Sequence, residues 1–247
     1  YADLMDFCYV WLRKHLLTDE PAFQPLSTRS QDELTVNKTE KRDIIHFTDG
    51  LSRVFSNFAQ ALKTGAPFAF TYHHNEAKAY YPIAVALLDA GLVCTKTLPC
   101  PAEMSASIHI SGTKSSRVDT VFVCRGTGRI LASDFQDSQV DLRRMLESNA
   151  AALRNANYAV SAGDLNCLFL GHIIRLVVWR LREQWNPESD TGERLRYVQD
   201  ECNSIYPLDL IPKLTGSLTD DPYSAPLFQY ALVQEHREHY GPLEVSF

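Results

Sequence analysis

The segment Pro67-Phe-Ala-Phe-Thr-Tyr72 constrains this chain more than any other stretch. It is short, aromatic and uncharged, which is too apolar for an exposed sheet edge, and it reads as a buried strand. Residues 76–90 (EAKAYYPIAVALLDA) follow with the character of a helix closed by Gly91, and Leu92-Val-Cys-Thr-Lys-Thr-Leu98 alternates with β-branched residues as a second strand. Strand–helix–strand predicts a parallel βαβ unit with a right-handed crossover. Val118-Asp-Thr-Val-Phe-Val-Cys124 reads as a third strand that follows its predecessor without a helix, so antiparallel pairing is expected. Nothing before residue 67 has strand character. A neighbour for 67–72 is therefore expected upstream of Tyr1 or in another chain.

Elsewhere the period is helical. Leu4, Phe7, Cys8, Trp11 and Leu12 form one apolar stripe over 2–16, and Ile44, Ile45, Phe47, Leu51, Val54, Phe55, Phe58 and Leu62 form another, stopped by Gly65 and Pro67. Residues 17–39 are polar, hold two prolines and show neither period, so a long surface loop is expected. After about 135 no strand is convincing. Helices are expected near 137–156, 162–185, 190–203 and 222–239, with a Pro/Leu-rich connection between the last two and 162–185 at the buried centre. The chain starts Tyr-Ala-Asp-Leu, without Met and already in helical period, so it reads as part of something longer.

Charge is uneven. Residues 1–135 carry 14 basic and 14 acidic side chains, whereas 136–247 carry 10 and 16 and account for the whole net charge of −6. Gripping phosphates needs a basic excess, which makes the second half a poor nucleic-acid grip and leaves room for a local basic patch in the first. The six cysteines (8, 94, 100, 124, 167, 202) form no CxxC pair and mostly sit in apolar runs, as reduced thiols of a cytoplasmic protein would. No apolar run approaches the ~18–20 residues of a membrane span.

Four stretches in order, Tyr1-Ala-Asp-Leu-Met-Asp-Phe-Cys-Tyr-Val-Trp-Leu12, Phe70-Thr-Tyr-His-His74, Pro101-Ala-Glu-Met-Ser105 and Val121-Phe-Val-Cys-Arg125, resemble the C-terminal part of adenine-specific DNA methyltransferases. The similarity is to a large prokaryotic family, some of whose members belong to phage-defence gene clusters; it covers about residues 1–130 well and the remainder loosely. In that family an Asp/Asn-Pro-Pro-Tyr motif closes a strand shortly before the YADLxDFxYVWL helix. The resemblance implies an α/β fold. Residues 1–132 would be the C-terminal half of a Rossmann-like methyltransferase sheet, with its fifth, sixth and antiparallel seventh strands, and 133–247 a mostly helical domain. It further implies S-adenosylmethionine as cofactor, bound mainly by residues upstream of this chain, and DNA as a partner of the whole protein. Other partners it implies are the missing N-terminal half of the domain and proteins of a defence complex. Neither the catalytic tetrapeptide nor a glycine-rich cofactor loop lies within 1–247, so this chain is not expected to act alone. A non-catalytic scaffold of a methylase-like defence complex is the alternative.

The same resemblance makes Tyr1 and Asp3 candidates for lining a base pocket; the plainer reading is a helix N-terminus where Asp3 suits the dipole. His73 and His74 end the first strand, where open α/β sheets bind ligands. They read as pocket lining or as ordinary loop histidines, and poorly as a metal pair, because adjacent extended residues point to opposite sides. Glu103 and Ser105 hold the matching position after the second strand. Asp220-Asp-Pro-Tyr223 lacks the second proline of the catalytic motif and reads as a turn, as does Gly126-Thr-Gly128.

Overall fold

The computed structural model describes residues 2–16, 20–28, 33–37, 39, 41–102, 116–126, 142–207 and 211–219, the side chains of 2–5, 22 and 213 excepted. In chain order these hold α1 (Ala2–Leu16), a single 3-10 turn (Pro21–Phe23), α2 (Ile44–Ala61) and β1 (Phe68–Tyr72). A second 3-10 turn (Ala77–Tyr80) leads into α3 (Tyr81–Asp89), followed by β2 (Leu92–Pro101) and β3 (Val118–Gly126). Four helices complete it: α4 (Leu142–Asn155), α5 (Ala162–Leu181), α6 (Thr191–Ile205) and α7 (Ile211–Gly216). The fold is mixed α/β.

Local chemistry sets several of these boundaries. Helix α2 starts at 44, where the Asp43 carboxylate accepts the His46 N–H at 2.9 Å and caps the first turn. The expected helix over 76–90 divides into the 3-10 turn and α3, with Pro82 in the first turn of α3, where its missing N–H costs nothing. Gly91 follows with φ 62°, the left-handed conformation that closes helices. The Pro/Leu-rich connection contains α7, a helix that the sequence reading did not include. The helix expected at 222–239 lies outside the described residues.

The sheet corrects the expected pairing. Its order is β1–β3–β2, and β3 is antiparallel to both neighbours. The strands of the predicted βαβ unit run parallel but are not adjacent, because the α3 crossover leaves a gap that β3 fills, hydrogen-bonding along both of its edges. Strand β1 thus finds a neighbour within this chain, contrary to the expectation of one upstream or in another chain. Its residues alternate between half-buried and exposed instead of being buried, and its outer edge has no partner among the described residues.

Alternation across the sheet separates two faces. Phe68, Phe70 and Tyr72 of β1 sit opposite Cys124, Phe122 and Thr120 of β3, and Phe70 stacks on Phe122 at 5.1 Å. On this face Phe55 of α2 meets Phe68 and Phe70, and α3 and α5 cover β2 and β3. On the other face Ala69, Thr71, Lys96 and Leu98 are exposed. One hydrophobic core runs from Phe55 through Phe122 to Val198 of α6.

Helix α5 is long and apolar enough to cross a bilayer, contrary to the expectation from the sequence, yet 72% of that window is buried inside the molecule. It functions as a core helix. It approaches β3 closely at Gly171, where an added Cβ would lie 2.5 Å from Thr120 Cγ2. The next residue, His172, is buried: its Nδ1 meets the Thr97 hydroxyl of β2 at 2.8 Å and its Nε2 the Asn149 Oδ1 of α4 at 2.7 Å. Burial, aided by the charge of Arg175, lowers its pKa from 6.5 to about 4. The N-terminus of α5 is held by a capping box, Ser161 with Asp164, and the Asp164 carboxylate also accepts the Arg117 N–H at 2.7 Å, which ties the helix to the start of β3.

Helix α1 is turned unexpectedly. Its Asp6, Tyr9 and Arg13 grip residues 24–28, through Asp6 to Ser27 and Thr28, Tyr9 to the Pro25 carbonyl at 2.8 Å and Arg13 to the Gln24 and Pro25 carbonyls. The apolar stripe points away: Phe7 is 73% and Trp11 63% exposed.

Two stability predictions follow from α5. Gly171→Ala gains about 1 kcal/mol of helix propensity but forces a methyl onto a buried threonine, a cost of about 1–3 kcal/mol. Net destabilisation in urea unfolding is expected, relieved by adding Thr120→Ser, which removes Cγ2. For His172, the unfolded chain takes up a proton near pH 6.5 and the folded one only near 4. Stability should be complete above pH 6.5 and about 3 kcal/mol lower by pH 4. The slope should flatten in His172→Gln when unfolding is followed from pH 4 to 7.5.

Candidate functional site

The carboxyl ends of β1 and β2 and the amino end of β3 meet at one end of the sheet, where the β1–α3 turn places His73 and His74. The register that sets Tyr72 opposite Thr120 carries on to bring His73 beside Asp119, with His73 Nδ1 2.9 Å from Asp119 Oδ1. Asp119 belongs to the odd-numbered side of β3 and faces away from the helices. Its other cross-strand partner is Cys100 of β2. Strands lie about 4.8 Å apart, so His73 and Cys100 stand roughly 10 Å from each other across Asp119. A thiol–imidazole nucleophile is not formed here.

The turn is pinned from below. The His74 N–H donates to the Tyr80 hydroxyl at 3.2 Å, the Glu76 N–H to His74 Nδ1 at 3.0 Å, and Asn166 Nδ2 of α5 to the Asn75 carbonyl at 3.1 Å. The Tyr72 hydroxyl donates to the Ala79 carbonyl at 2.9 Å. Tyr80 is fully buried, packs edge-on against Tyr72 and lies 3.3 Å from Cys167 Sγ. Burial pushes Tyr72 up to about 12, with Cys167 adding to it, and drives Tyr80 well above its ordinary value. Burial also raises the Cys167 thiol, against hydrogen bonds from Tyr80 and Thr120 that favour the thiolate. These three groups keep their protons at neutral pH and serve as the rigid floor of the turn. Glu76, at the surface, is lowered by its hydrogen bond and charge contact with Lys78.

Of the six residues singled out from the sequence, the structure places His73 and His74 at this end of the sheet. Their rings have different partners, one on β3 and one within its own turn. Tyr1, Glu103 and Ser105 lie outside the described residues, and Asp3 lies in α1 with its side chain outside them. Among the described residues no three His, Cys, Asp or Glu side chains gather to hold a metal ion. Sequence reasoning missed Asp119, Asn166 and Tyr80. Asp119 had a faint signal as the first odd-numbered residue of an alternating strand, but its meeting with His73 needs β3 beside β1. A separate groove of about 500 Å³ opens at the opposite end of the sheet between Leu62, Lys63, Gly65, Gly91, Leu92 and Gly126. Among the described residues Lys63 is the only charged one lining it, and no carboxylate, histidine or thiol does.

Tyr80→Phe leaves the ring in place and removes the acceptor of the His74 N–H. A loss of about 1 kcal/mol is expected, with faster amide hydrogen exchange at His74 and Glu76 than in the intact turn.

Compared with known proteins, the chain matches no protein-family model, no curated protein and no solved structure.

Proposed function

We propose that this chain is part of an S-adenosylmethionine-dependent DNA adenine N6-methyltransferase. The observation that carries the reading is the outer edge of β1, which pairs with no strand among the described residues. Above that strand Phe58 of α2 stacks on Phe68 at 5.4 Å yet stays 52% exposed, so the aromatic layer stops short of closure. Helices α2 and α3 lie on the same face of the sheet. With right-handed crossovers, the strand that feeds α2 belongs on the side of β1 away from β2, parallel to β1. A motif-bearing fourth strand of the kind the resemblance implies would fit there. The antiparallel direction of β3 also agrees with the seventh strand it implies.

The described residues do not themselves fit the cofactor. Gly126 ends β3 at the opposite end of the sheet from His73. Cofactor binding is therefore assigned, in this reading, mainly to residues upstream of this chain. The reaction itself asks mainly for positioning. The adenine amine is a weak nucleophile because its lone pair is delocalised into the ring, and a flipped base must be held by hydrogen bonds and stacking. His73, on a pinned turn at the carboxyl ends of β1 and β2, suits that duty.

The bare stripe of Phe7, Val10, Trp11 and Leu12 on α1 favours a second reading, an assembly module of a methylase-like defence complex. One experiment separates the two. Protein carrying the Asp/Asn-Pro-Pro-Tyr motif is incubated with isotope-labelled S-adenosylmethionine and adenine-containing duplex DNA. Label in N6-methyladenine, lost on substituting the motif, is expected for the enzyme; absence of cofactor binding would overturn it and leave the assembly reading.

A further inference from the structure

We propose that Asp119 is a positioning residue that fixes His73 as its Nδ1–H tautomer, leaving Nε2 as a hydrogen-bond acceptor for the exocyclic amine of a nucleobase. A carboxylate only accepts hydrogen bonds, so the 2.9 Å contact requires the proton on Nδ1. In the neutral ring Nε2 then carries the lone pair. The neighbouring histidine is set the other way: His74 Nδ1 accepts the Glu76 N–H at 3.0 Å, so its own proton sits on Nε2. Two adjacent imidazoles are held in opposite tautomers by one turn and one strand.

Several features mark His73 Nε2 as a ligand-facing atom. The His73 side chain remains 40% exposed, while Asp119 is 21% exposed and carried by the middle strand. Among the described residues Nε2 has no partner. The backbone around it is anchored through His74 to the Tyr80 hydroxyl and through Asn75 to Asn166, so the ring is presented from a rigid base. As a surface pair alone, His73–Asp119 would add little stability. An acceptor held at the ligand-binding end of an α/β sheet matches a partner whose N–H points outward, and an adenine N6 amine offers one. The nucleobase part of this inference rests on the methyltransferase reading; the tautomer does not.

The test uses the protein carrying the Asp/Asn-Pro-Pro-Tyr motif and ¹⁵N-resolved imidazole spectra at a pH where both histidines are neutral. Wild type should show His73 protonated on Nδ1 and His74 on Nε2. Asp119→Ala should return His73 to the Nε2–H form preferred by a free imidazole, and Asp119→Asn, whose amide oxygen still accepts, should restore the Nδ1–H form. Adenosine should shift the His73 Nε2 resonance, purine riboside, which lacks the amine, should not, and Asp119→Ala should weaken adenosine binding about tenfold. A His73 found as Nε2–H in wild type, or unchanged in Asp119→Ala, overturns the tautomer. An adenosine response absent, or equalled by purine riboside, overturns the ligand. If Asp119→Ala does not fold, the wild-type spectrum and Asp119→Asn still decide. None of these readings depends on methyl transfer, so failure of the enzymatic assay is a separate outcome.

Discussion

Every interstrand ladder of the described sheet runs through β3. Strand β1 and strand β2 never touch, and each is held only by the antiparallel strand between them. The alternation of β3 then does two jobs. Thr120, Phe122 and Cys124 are buried toward the helices, where Phe122 carries Phe70 and Thr120 meets Gly171. Asp119, one residue away and on the other side, meets His73. Sliding β3 by one residue against β1 would exchange these faces, burying Asp119 in the helical layer and exposing Phe122. Register, core and candidate site are thus one constraint.

The helical layer is joined by polar groups that apolar patterning does not disclose. Asp89, at the end of α3, accepts from Ser52 of α2 at 2.7 Å and from Trp185 at 2.9 Å, and it pairs with Arg194 of α6. Arg194 also contacts Asp49 and Thr191. Such a buried pair adds little net stability over apolar packing, yet losing one partner costs about 3–5 kcal/mol, so it fixes how α2, α3 and α6 sit together more than how tightly. Asp164 does similar work between α5 and the start of β3.

The six cysteines are free thiols in the structure, as their spacing suggested. Cys94 and Cys124 face each other across β2 and β3, and the contact with Cys94, together with burial, holds the Cys124 thiol well above its ordinary value. The polarity of α1 is the opposite of what its sequence predicts. The apolar stripe was legible, but Asp6, Tyr9 and Arg13 find their partners in residues 24–28, and the hydrogen bonds win the inner position. Hydrophobic periodicity reveals that a helix has two faces; which one turns inward depends on what is available to pack against.

Short-range chemistry accounts for what the chain alone determined. The helices of the described residues, apart from α7, and all three strands were visible from periodicity, caps and breakers, and His73 and His74 from their place at a strand end. Pairing order was not visible, because a crossover helix specifies direction and handedness but not whether another strand enters the gap. That choice belongs to long-range contacts, Phe70 on Phe122 and α5 on Thr120. The partner of His73 was hidden for the same reason: it and Asp119 are 46 positions apart and are brought together only by β3 taking its place next to β1.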